Sequence, residues 1–407
     1  MIKRPIYTAK IEPFIDKQIV KVITGIRRSG KSGLLQLLQQ HLKDRGVKEE
    51  QIVSLNYESL RWAQYRTYEA LYAFVDSVRP KDKRCYLFID EIQEVTEWER
   101  AVNSMMVDWD VDIYITGSNS KLLSSELATY LAGRYVEFVM QPLSYGEFLQ
   151  FHGYGMPKGS ERIDRFDQYL RQGGFPMFHL YSYSDEEIYL AVRDIYSSVL
   201  LRDTVQRFSI RNIEMLERLV MFLFDNIGNT FSASSIIRYL KSQGRSLDSE
   251  TLYNYLQALE SSFIISKVKR YDIKGKEILK TNEKYYVADL SLIYSVRGYS
   301  PELIAGMLEN LVYFELRRNA YEVYSGWMGA REVDFVARRG DEIIYLQVTK
   351  SMEADATLER ELRPLMDIKD NYPKYVIVGN PMATGNIDGI RCVFIGDFLL
   401  EMEKKTT

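Results

Sequence analysis

The chain has 407 residues, of which 46% are hydrophobic, and it carries a formal net charge of −3 with a pI of about 5.9. This length allows two or three domains with cores of their own, and the hydrophobic content excludes a disordered chain. The balanced charge excludes a protein that is basic over its whole surface, so any surface that binds nucleic acid must be local.

Two features predict the cellular location. The N-terminal stretch MIKRPIYTAK has no apolar signal core, and no run of about 18 apolar residues follows it, so we expect no membrane contact. The two cysteines, Cys85 and Cys392, each lie in an apolar, strand-like run, which is typical of buried thiols in a reducing compartment. We therefore expect a cytoplasmic protein.

The segment IVKVITGIRRSGKS at 19–32 predicts a phosphate site. An apolar strand is followed by Gly25, four residues, and then Gly30, Lys31 and Ser32, which is the spacing of a phosphate-binding loop. The glycines let backbone N–H groups approach phosphate oxygens, Lys31 supplies a positive charge, and Ser32 offers a hydroxyl to Mg2+. Leucines at helical spacing follow, so the phosphates would lie at a helix N-terminus. The predicted cofactor-binding residues are Gly25, Ile26, Arg27, Arg28, Ser29, Gly30, Lys31 and Ser32. Two roles stay open for Arg27 and Arg28: they either add positive charge around the bound phosphate or contact a partner.

The segment CYLFIDEIQEV at 85–95 provides the metal ligand that a phosphate loop needs. Asp90 ends an apolar strand, where ligands bind in open α/β sheets, and would hold Mg2+ mostly through water. Glu91 can then act as the base that polarises the attacking water.

A third strand, VDIYITGSNS at 111–120, also ends in polar groups. Ser118 and Asn119 could reach the γ-phosphate or orient water, although the same residues suit a turn. With 51–59 and 134–140 this makes five strands of a doubly wound parallel sheet. The glutamate directly after the metal-binding aspartate predicts an added strand between the phosphate-loop strand and the aspartate strand.

Five segments, GIRRSGKS, FIDEIQEVTEWE, ITGSNSKLLSSE, LAGRYVEFVMQPLSYGEF and GGFP, occur in this order. Together they resemble the AAA-type ATPase family of bacteria and archaea that joins an ATPase core to a C-terminal domain of unknown function. The resemblance implies an AAA+ core and ATP hydrolysis with Glu91 catalytic. It also suggests that Arg134, in LAGR, approaches a γ-phosphate of its own or of a neighbouring subunit; an ordinary surface arginine is the alternative.

Helical patterns occupy the middle of the chain. Residues 155–211 indicate the helical lid of an AAA+ core, interrupted by Gly173, Gly174 and Pro176 as by a hinge or turn. Residues 212–298 have three helices and a hairpin, the order of a winged helix-turn-helix.

The predicted hairpin is locally basic, which indicates contact with the DNA backbone. The predicted DNA-binding residues are Lys267, Lys269, Arg270, Lys274 and Lys276. The third helix turns Ser249, Glu250, Asn254 and Gln257 outward, which argues against strong reading of bases. A solvated sheet edge would carry the same lysines, so that alternative stays open.

Residues 299–407 resemble the restriction-endonuclease-like fold, with Glu309 on a helix and Asp334 on the second strand. An active member needs a carboxylate and a lysine two positions apart on the third strand, because only such positions share a face. Here these positions are Gln347 and Thr349, and Lys350 is one residue off. We therefore expect a degenerate domain that does not cut DNA.

The predicted fold class is α/β, with a core at 1–154, a lid at 155–211, a winged helix-turn-helix at 212–298 and a degenerate nuclease-like domain at 299–407. The favoured function is an ATPase that uses ATP and Mg2+ to move or remodel DNA, branched DNA among the candidates, as a homo-oligomeric ring, with a hexamer favoured. The alternatives are a signalling or scaffold NTPase whose C-terminal domains bind protein, and an ATP-regulated nuclease.

Overall fold

The structure, a computed structural model, describes residues 2–120, 131, 133–329, 331–352 and 355–404. The chain divides into two compact units, the first made essentially of residues 1–140 and the second of 141–406. No helix in the described ranges is both long enough and apolar enough to cross a bilayer.

The first unit is a parallel α/β sandwich. Its helices are α1 (Pro5–Ile11), α2 (Lys31–Asp44), α3 (Tyr68–Val78) and α4 (Trp98–Asp108), and its strands are β1 (Val20–Thr24), β2 (Ile52–Asn56), β3 (Cys85–Asp90), β4 (Val111–Thr116) and β5 (Tyr135–Val139). These strands form a sheet in the order β2-β3-β4-β1-β5, and every neighbouring pair is parallel. The predicted mixed α/β fold is confirmed, and β4 is the added strand between β1 and β3.

Burial of both sheet faces explains these strand sequences. β1, β3 and β4 are buried along their whole length, as their nearly continuous apolar runs predict for parallel strands covered by helices. On one face α2 buries Leu34, Leu35, Leu38 and Leu42, which recur at helical spacing. The helix ends at Asp44, and Gly46 follows with a φ of +94°, a conformation that favours glycine after a helix.

The second unit begins with helices and ends in a large sheet. The helices are α5 (Tyr145–Phe151), α6 (Glu161–Gln172), α7 (Asp185–Ser198), which continues into a π-helical segment (Val199–Gln206), α8 (Ile213–Asp225), α9 (Ala233–Ser242), α10 (Ser249–Ser261), α11 (Leu290–Arg297), α12 (Ile304–Arg318), α13 (Asp355–Met366) and α14 (Ile395–Lys404). The strands are β6 (Ile265–Asp272), β7 (Glu277–Val287), β8 (Glu322–Met328), β9 (Arg331–Arg339), β10 (Glu342–Thr349), β11 (Lys374–Val378), β12 (Gly385–Ile387) and β13 (Ile390–Phe394).

The sheet of the second unit includes the hairpin that the sequence analysis assigned to a separate winged domain. The described strands are ordered β12-β13-β11-β10-β9-β8-β6-β7. The three helices and the hairpin occur in the predicted order, but β6 pairs in parallel with β8, in the register Arg270↔Ser325 to Asp272↔Trp327. The predicted boundary at 298/299 therefore has no counterpart in the sheet, because backbone groups of β6 that a free wing would leave in water bond to β8 instead.

The predicted boundary at 154/155 also differs from the observed division, since α5 belongs to the second unit. The predicted break at 173–176 is a turn between α6 and the following helices. Gly173 has a φ of +71°, and the N–H of Gly174 donates to Asp289 Oδ2 over 2.6 Å. Burial raises the pKa of Asp289 to about 6. The turn is thus tied to the segment just before α11.

Candidate functional site

The loop between β1 and α2 has the geometry of a phosphate-binding loop. A Cβ atom on Gly25 would lie 2.1 Å from the carbonyl oxygen of Met140, and Gly25 has a φ of +139°. Gly30 caps α2 with a φ of +102°. Both positions therefore require glycine, the first for close backbone approach and both for backbone conformation.

Lys31 folds back over this loop. Its ammonium donates to the carbonyl oxygens of Gly25 (3.0 Å) and Ile26 (3.1 Å), and the residue is only 5% exposed. The first turn of α2 contains no acidic residue. The positive end of the helix dipole and the lysine charge are therefore directed at the same loop, which favours an anion there.

Asp90 ends β3 and is held from both neighbouring strands. Asn56, at the end of β2, donates from Nδ2 to Asp90 Oδ2 over 3.1 Å, and the hydroxyl of Thr116, at the end of β4, donates to Asp90 Oδ1. The carboxylate is 4% exposed. Because both oxygens accept hydrogen bonds in a fixed plane, its orientation is set before any ligand binds.

Glu91 has an unusual backbone conformation. Its φ is +56° and its ψ is +51°. This is the left-handed region, which residues other than glycine, asparagine and aspartate rarely adopt. Its N–H donates to the hydroxyl of Thr116 over 3.0 Å, and its carboxylate accepts from Gln93 Nε2. Such strain persists only where the surroundings impose it, and it is typical of functional sites.

Polar residues follow β4 at the same sheet edge. Ser118 is 1% exposed and Asn119 is fully buried. The N–H of Gly117 donates to Ile23 O over 3.1 Å, so the chain leaving β4 runs beside the end of β1. This path is compatible with the predicted position of Asn119 near the phosphate loop. The role of Asn119 at the γ-phosphate stays a prediction.

Arg134 lies at the end of this sheet where the parallel strands begin, opposite the end that holds the phosphate loop. It directly precedes β5, and its carbonyl accepts the N–H of Val20 at the start of β1. The phosphate loop follows the opposite end of β1, roughly 16 Å away for five residues of strand. The exposed side chain of Arg134 therefore does not belong to the loop of its own subunit.

The two arginines inside the loop differ in environment. Arg27 is largely buried, with its guanidinium 3.8 Å from a carboxylate oxygen of Glu58. Arg28 is exposed and has a φ of +67°.

Sequence reasoning missed three residues that support the site. Asn56 and Thr116 hold Asp90, as described above. Arg4, which directly precedes α1, is 3% exposed and donates from Nη1 to the carbonyl oxygen of Ser29 over 3.0 Å. Asn56 and Thr116 could have been found, because each is a polar residue at the end of an apolar strand; Arg4 gave no such signal.

The residues present fit a nucleotide with Mg2+. The hydroxyls of Ser29 and Ser118 are buried and have no hydrogen-bond partner among the described residues. Both could therefore form a hydrogen bond to a ligand. Mg2+ is commonly held by one or two protein oxygens together with phosphates and water. Ser32 and Asp90 are the residues that would hold it.

The five predicted DNA-binding residues have different environments on the β6–β7 hairpin. Lys269, Lys274 and Lys276 are exposed. Lys267 forms an ion pair with Glu283 at 3.2 Å, and the guanidinium of Arg270 lies 4.0 Å above the centre of the Trp327 ring. The outward residues of α10, Ser249, Glu250, Asn254 and Gln257, are exposed as expected.

Comparison with known proteins gives the family. A family described as an AAA domain matches residues 17–149, and one described as a domain of unknown function matches residues 163–303. An uncharacterized protein of Haemophilus influenzae is 37% identical over 403 residues, which cover 98% of this chain and 99% of that protein. Uncharacterized protein MJ1544 of Methanocaldococcus jannaschii is 31% identical over 382 residues, which cover 89% of this chain and 82% of that protein. The chain belongs to the family of these two proteins. Most of the AAA-domain match lies in the first unit, and the loop, Asp90 and Glu91 all lie within the match.

Solved structures show only distant similarity. The Aeropyrum pernix ORC1 protein, solved in complex with DNA, has a TM-score of 0.32 at 11% identity, and the match covers 72% of this chain and 90% of that chain. Drosophila ORC bound to AT-rich DNA and Cdc6 has a TM-score of 0.26 at 10% identity, with 71% and 89% covered. Similarity at this level carries no conclusion about function.

The contacts of Thr116 in the AAA domain generate the first prediction. Thr116→Val removes both the donor to Asp90 and the acceptor for the N–H of Glu91, with little change in volume. We expect nucleotide turnover at limiting Mg2+ to fall about tenfold or more, since a side chain that hydrogen-bonds to a metal ligand typically contributes that much. Thr116→Ser keeps the hydroxyl and should stay near wild type. Equal turnover in the two variants would show that the hydroxyl does not orient Asp90.

Proposed function

We propose that the AAA domain hydrolyses ATP with Mg2+ and that the protein uses this cycle to act on DNA as an oligomeric ring. The observation that carries the ATPase part is the position of Lys31 and of the Asp90–Glu91 pair at one edge of the sheet. Their strands, β1 and β3, are separated by β4 alone, so they lie roughly 10 Å apart. A triphosphate bound by the loop would therefore extend towards Asp90.

Each residue has a role in this proposal. Lys31 and the loop N–H groups would hold the phosphates, and Ser32 and Asp90 would hold Mg2+, which supplies charge neutralisation to the transferred group. Glu91 would take a proton from the attacking water, and Gln93, which donates to its carboxylate, would fix its direction. Asn119 would assist at the γ-phosphate.

Substitution of Glu91 tests the hydrolysis proposal. Glu91→Gln should bind ATP and hydrolyse it at least about a hundredfold more slowly, because the amide cannot accept the proton of the attacking water. Lys31→Ala should lose nucleotide binding or turnover. ATP binding by fluorescence and phosphate release are the measurements. Hydrolysis by Glu91→Gln at nearly the wild-type rate would contradict the assignment of the base.

The position of Arg134 favours action between subunits. Its side chain is at the sheet edge opposite its own phosphate loop, so a γ-phosphate within its reach would belong to a neighbouring copy. An arginine supplied in this way stabilises charge that develops in the transition state. We therefore propose that a ring, with six subunits favoured, completes the site.

A mixing experiment tests Arg134. Arg134→Ala should lower turnover and leave ATP affinity nearly unchanged, because its contribution arises in the transition state. Mixing it with Lys31→Ala should restore part of the activity, since mixed interfaces contain one intact Lys31 loop beside one intact Arg134. An Arg134→Ala protein with full turnover would remove this residue from the site, and the absence of recovery in mixtures would count against action in trans.

The DNA part of the proposal rests on Lys269, Lys274 and Lys276, three exposed cations on one hairpin of a protein whose net charge is −3. Phosphate contacts of this kind fix position and carry no sequence information. The polar, non-basic outer face of α10 agrees with binding that does not read bases. Lys267 and Arg270, which already pair with Glu283 and Trp327, would contribute less.

Salt dependence tests DNA contact. Alanine at Lys269, Lys274 and Lys276 together should weaken binding to single-stranded, duplex and branched DNA, and should reduce the salt slope of log K by up to about three, since each phosphate contact contributes about 0.9. Alanine at three exposed lysines elsewhere, Lys17, Lys48 and Lys158, is the control with equal charge loss. Equal effects of the two triple variants would contradict a specific role of the hairpin.

A second candidate function is a signalling or scaffold NTPase whose C-terminal region binds protein. The outer face of α10, with Ser249, Glu250, Asn254 and Gln257 and no arginine or lysine, favours it. Measurement of the ATPase rate with and without each form of DNA separates the two functions. An ATPase rate that rises with DNA would support the DNA-remodelling function. A rate that does not change with DNA would support the protein-binding NTPase.

We also propose that the C-terminal region is a restriction-endonuclease-like domain that does not cut DNA. Glu309 lies on α12 and Asp334 on β9, while β10 carries Gln347 and Thr349 on the same face, and Lys350 is exposed beyond its end. Gln347 brings a dipole where a carboxylate would bring a charge. An ATP-regulated nuclease remains the third candidate, and DNA cleavage lost in Asp334→Ala would support it.

A further inference from the structure

A buried lysine joins three carboxylates in the second unit. Lys284, on β7, lies with its ammonium 2.9 Å from Glu309 Oε2 of α12, 2.6 Å from Glu332 Oε1 and 3.4 Å from Asp334 Oδ1 of β9. The lysine side chain is 2% exposed. Sequence reasoning placed Glu309 and Asp334 together but missed Lys284, because nothing in the sequence links position 284 to them.

The ammonium suits this position geometrically. The ammonium of Lys284 donates hydrogen bonds to Glu309 and Asp334, and Glu332 adds a third carboxylate at ion-pair distance. A buried charge persists only when it is paired and hydrogen-bonded, and here the pairing comes from a helix and from a strand at once. Burial alone lowers the pKa of Lys284, but the carboxylates outweigh this, with Glu309 first, and hold the pKa well above its ordinary value.

Two carboxylates of the cluster, Glu309 and Asp334, accept further hydrogen bonds. Glu309 also accepts from the hydroxyl of Tyr286 over 2.8 Å, and Asp334 Oδ2 accepts the N–H of Val348 over 2.8 Å. The amide oxygen of Gln347 accepts the N–H of Asp334 over 3.2 Å. Gln347 thus contributes to the position of Asp334 through its backbone.

The segment after α8 covers the Glu309 side of the cluster. A Cβ atom on Gly228 would lie 3.2 Å from Glu309 Oε2, and one on Gly306 would lie 2.1 Å from the carbonyl oxygen of Ile227. The backbones of this segment and of α12 are therefore in direct contact beside the carboxylate. A phosphodiester group approaching from this side would meet protein backbone.

We propose that Lys284 is a built-in cation, which takes the position between Glu309, Glu332 and Asp334 that a divalent metal would otherwise occupy. The ammonium is a compact point charge, as a metal ion is, but it is covalently attached to β7. It neutralises the carboxylates and at the same time attaches the β6–β7 hairpin to α12 and β9. This inference is independent of nucleotide hydrolysis and of DNA binding.

Removal of the lysine charge tests the proposal in the full-length, nucleotide-free protein. Lys284→Met keeps the length of the side chain and leaves three carboxylates without a cation. We expect its Tm to fall by roughly 10 °C, the effect of breaking a buried ion pair in a unit of this size. Millimolar MnCl2 should then raise the Tm of Lys284→Met by several degrees, because the carboxylates now hold the metal, and should leave the wild-type Tm unchanged.

Two further variants identify the site of the effect. Lys267→Met removes a lysine from the paired strand β6, where the partner is Glu283, and should show neither the large loss of Tm nor a response to Mn2+. Asp334→Asn added to Lys284→Met should abolish the response to Mn2+. A Mn2+ response in the wild type that Asp334→Asn removes, or a Lys284→Met protein that behaves like Lys267→Met, would overturn the proposal.

A paired variant keeps the test decisive if Lys284→Met does not fold. Lys284→Met/Glu332→Gln removes one positive and one negative charge together, and Glu332 is the most exposed of the three carboxylates at 31%. Its Tm should rise with Mn2+ through Glu309 and Asp334. A paired variant that folds and does not respond to Mn2+ would contradict the idea of a cation position.

Discussion

The carboxyl ends of parallel strands meet at one edge of a sheet, and the candidate nucleotide site depends on this constraint. β1 delivers the phosphate loop, β3 delivers Asp90 and Glu91, and β2 and β4 deliver the residues that orient Asp90. No long loop is needed to assemble the site, because neighbouring strands already lie about 4.8 Å apart. Glu91, whose backbone is left-handed, donates its N–H to Thr116 at the same edge.

The same constraint separates Arg134 from the phosphate loop of its own subunit. Because β5 runs parallel to β1, a residue that precedes β5 lies at the amino edge of the sheet. An arginine placed there can serve a phosphate only in another copy of the chain. The proposal of a ring therefore follows from strand direction together with the family resemblance.

The second unit contains a buried cluster of like charges that a cation must balance. Its sheet and α12 bring three carboxylates together, and burial makes their mutual repulsion costly. Burial raises the pKa values of Glu309 and Asp334, and Lys284 opposes this rise by favouring the charged forms. The ammonium that balances the charge comes from the hairpin, so the pairing of β6 with β8 and the ion cluster stabilise the same edge of the sheet.

The sequence by itself determined the AAA domain and predicted the main residues of its candidate site. The glycine spacing, the apolar strands and the polar residues at their ends are local patterns, and they predicted the five parallel strands, the added strand β4 and the positions of Lys31, Asp90 and Glu91. Only the tertiary structure decided which distant residues meet: Asn56 and Thr116 at Asp90, Arg4 at the loop, and Lys284 among the carboxylates. It also decided that the hairpin joins the C-terminal sheet, because strand pairing between segments far apart in the chain leaves no periodic signal in either segment. Hydrophobic periodicity records which face of an element is buried, whereas the partner that buries it is chosen by the packing of the whole chain.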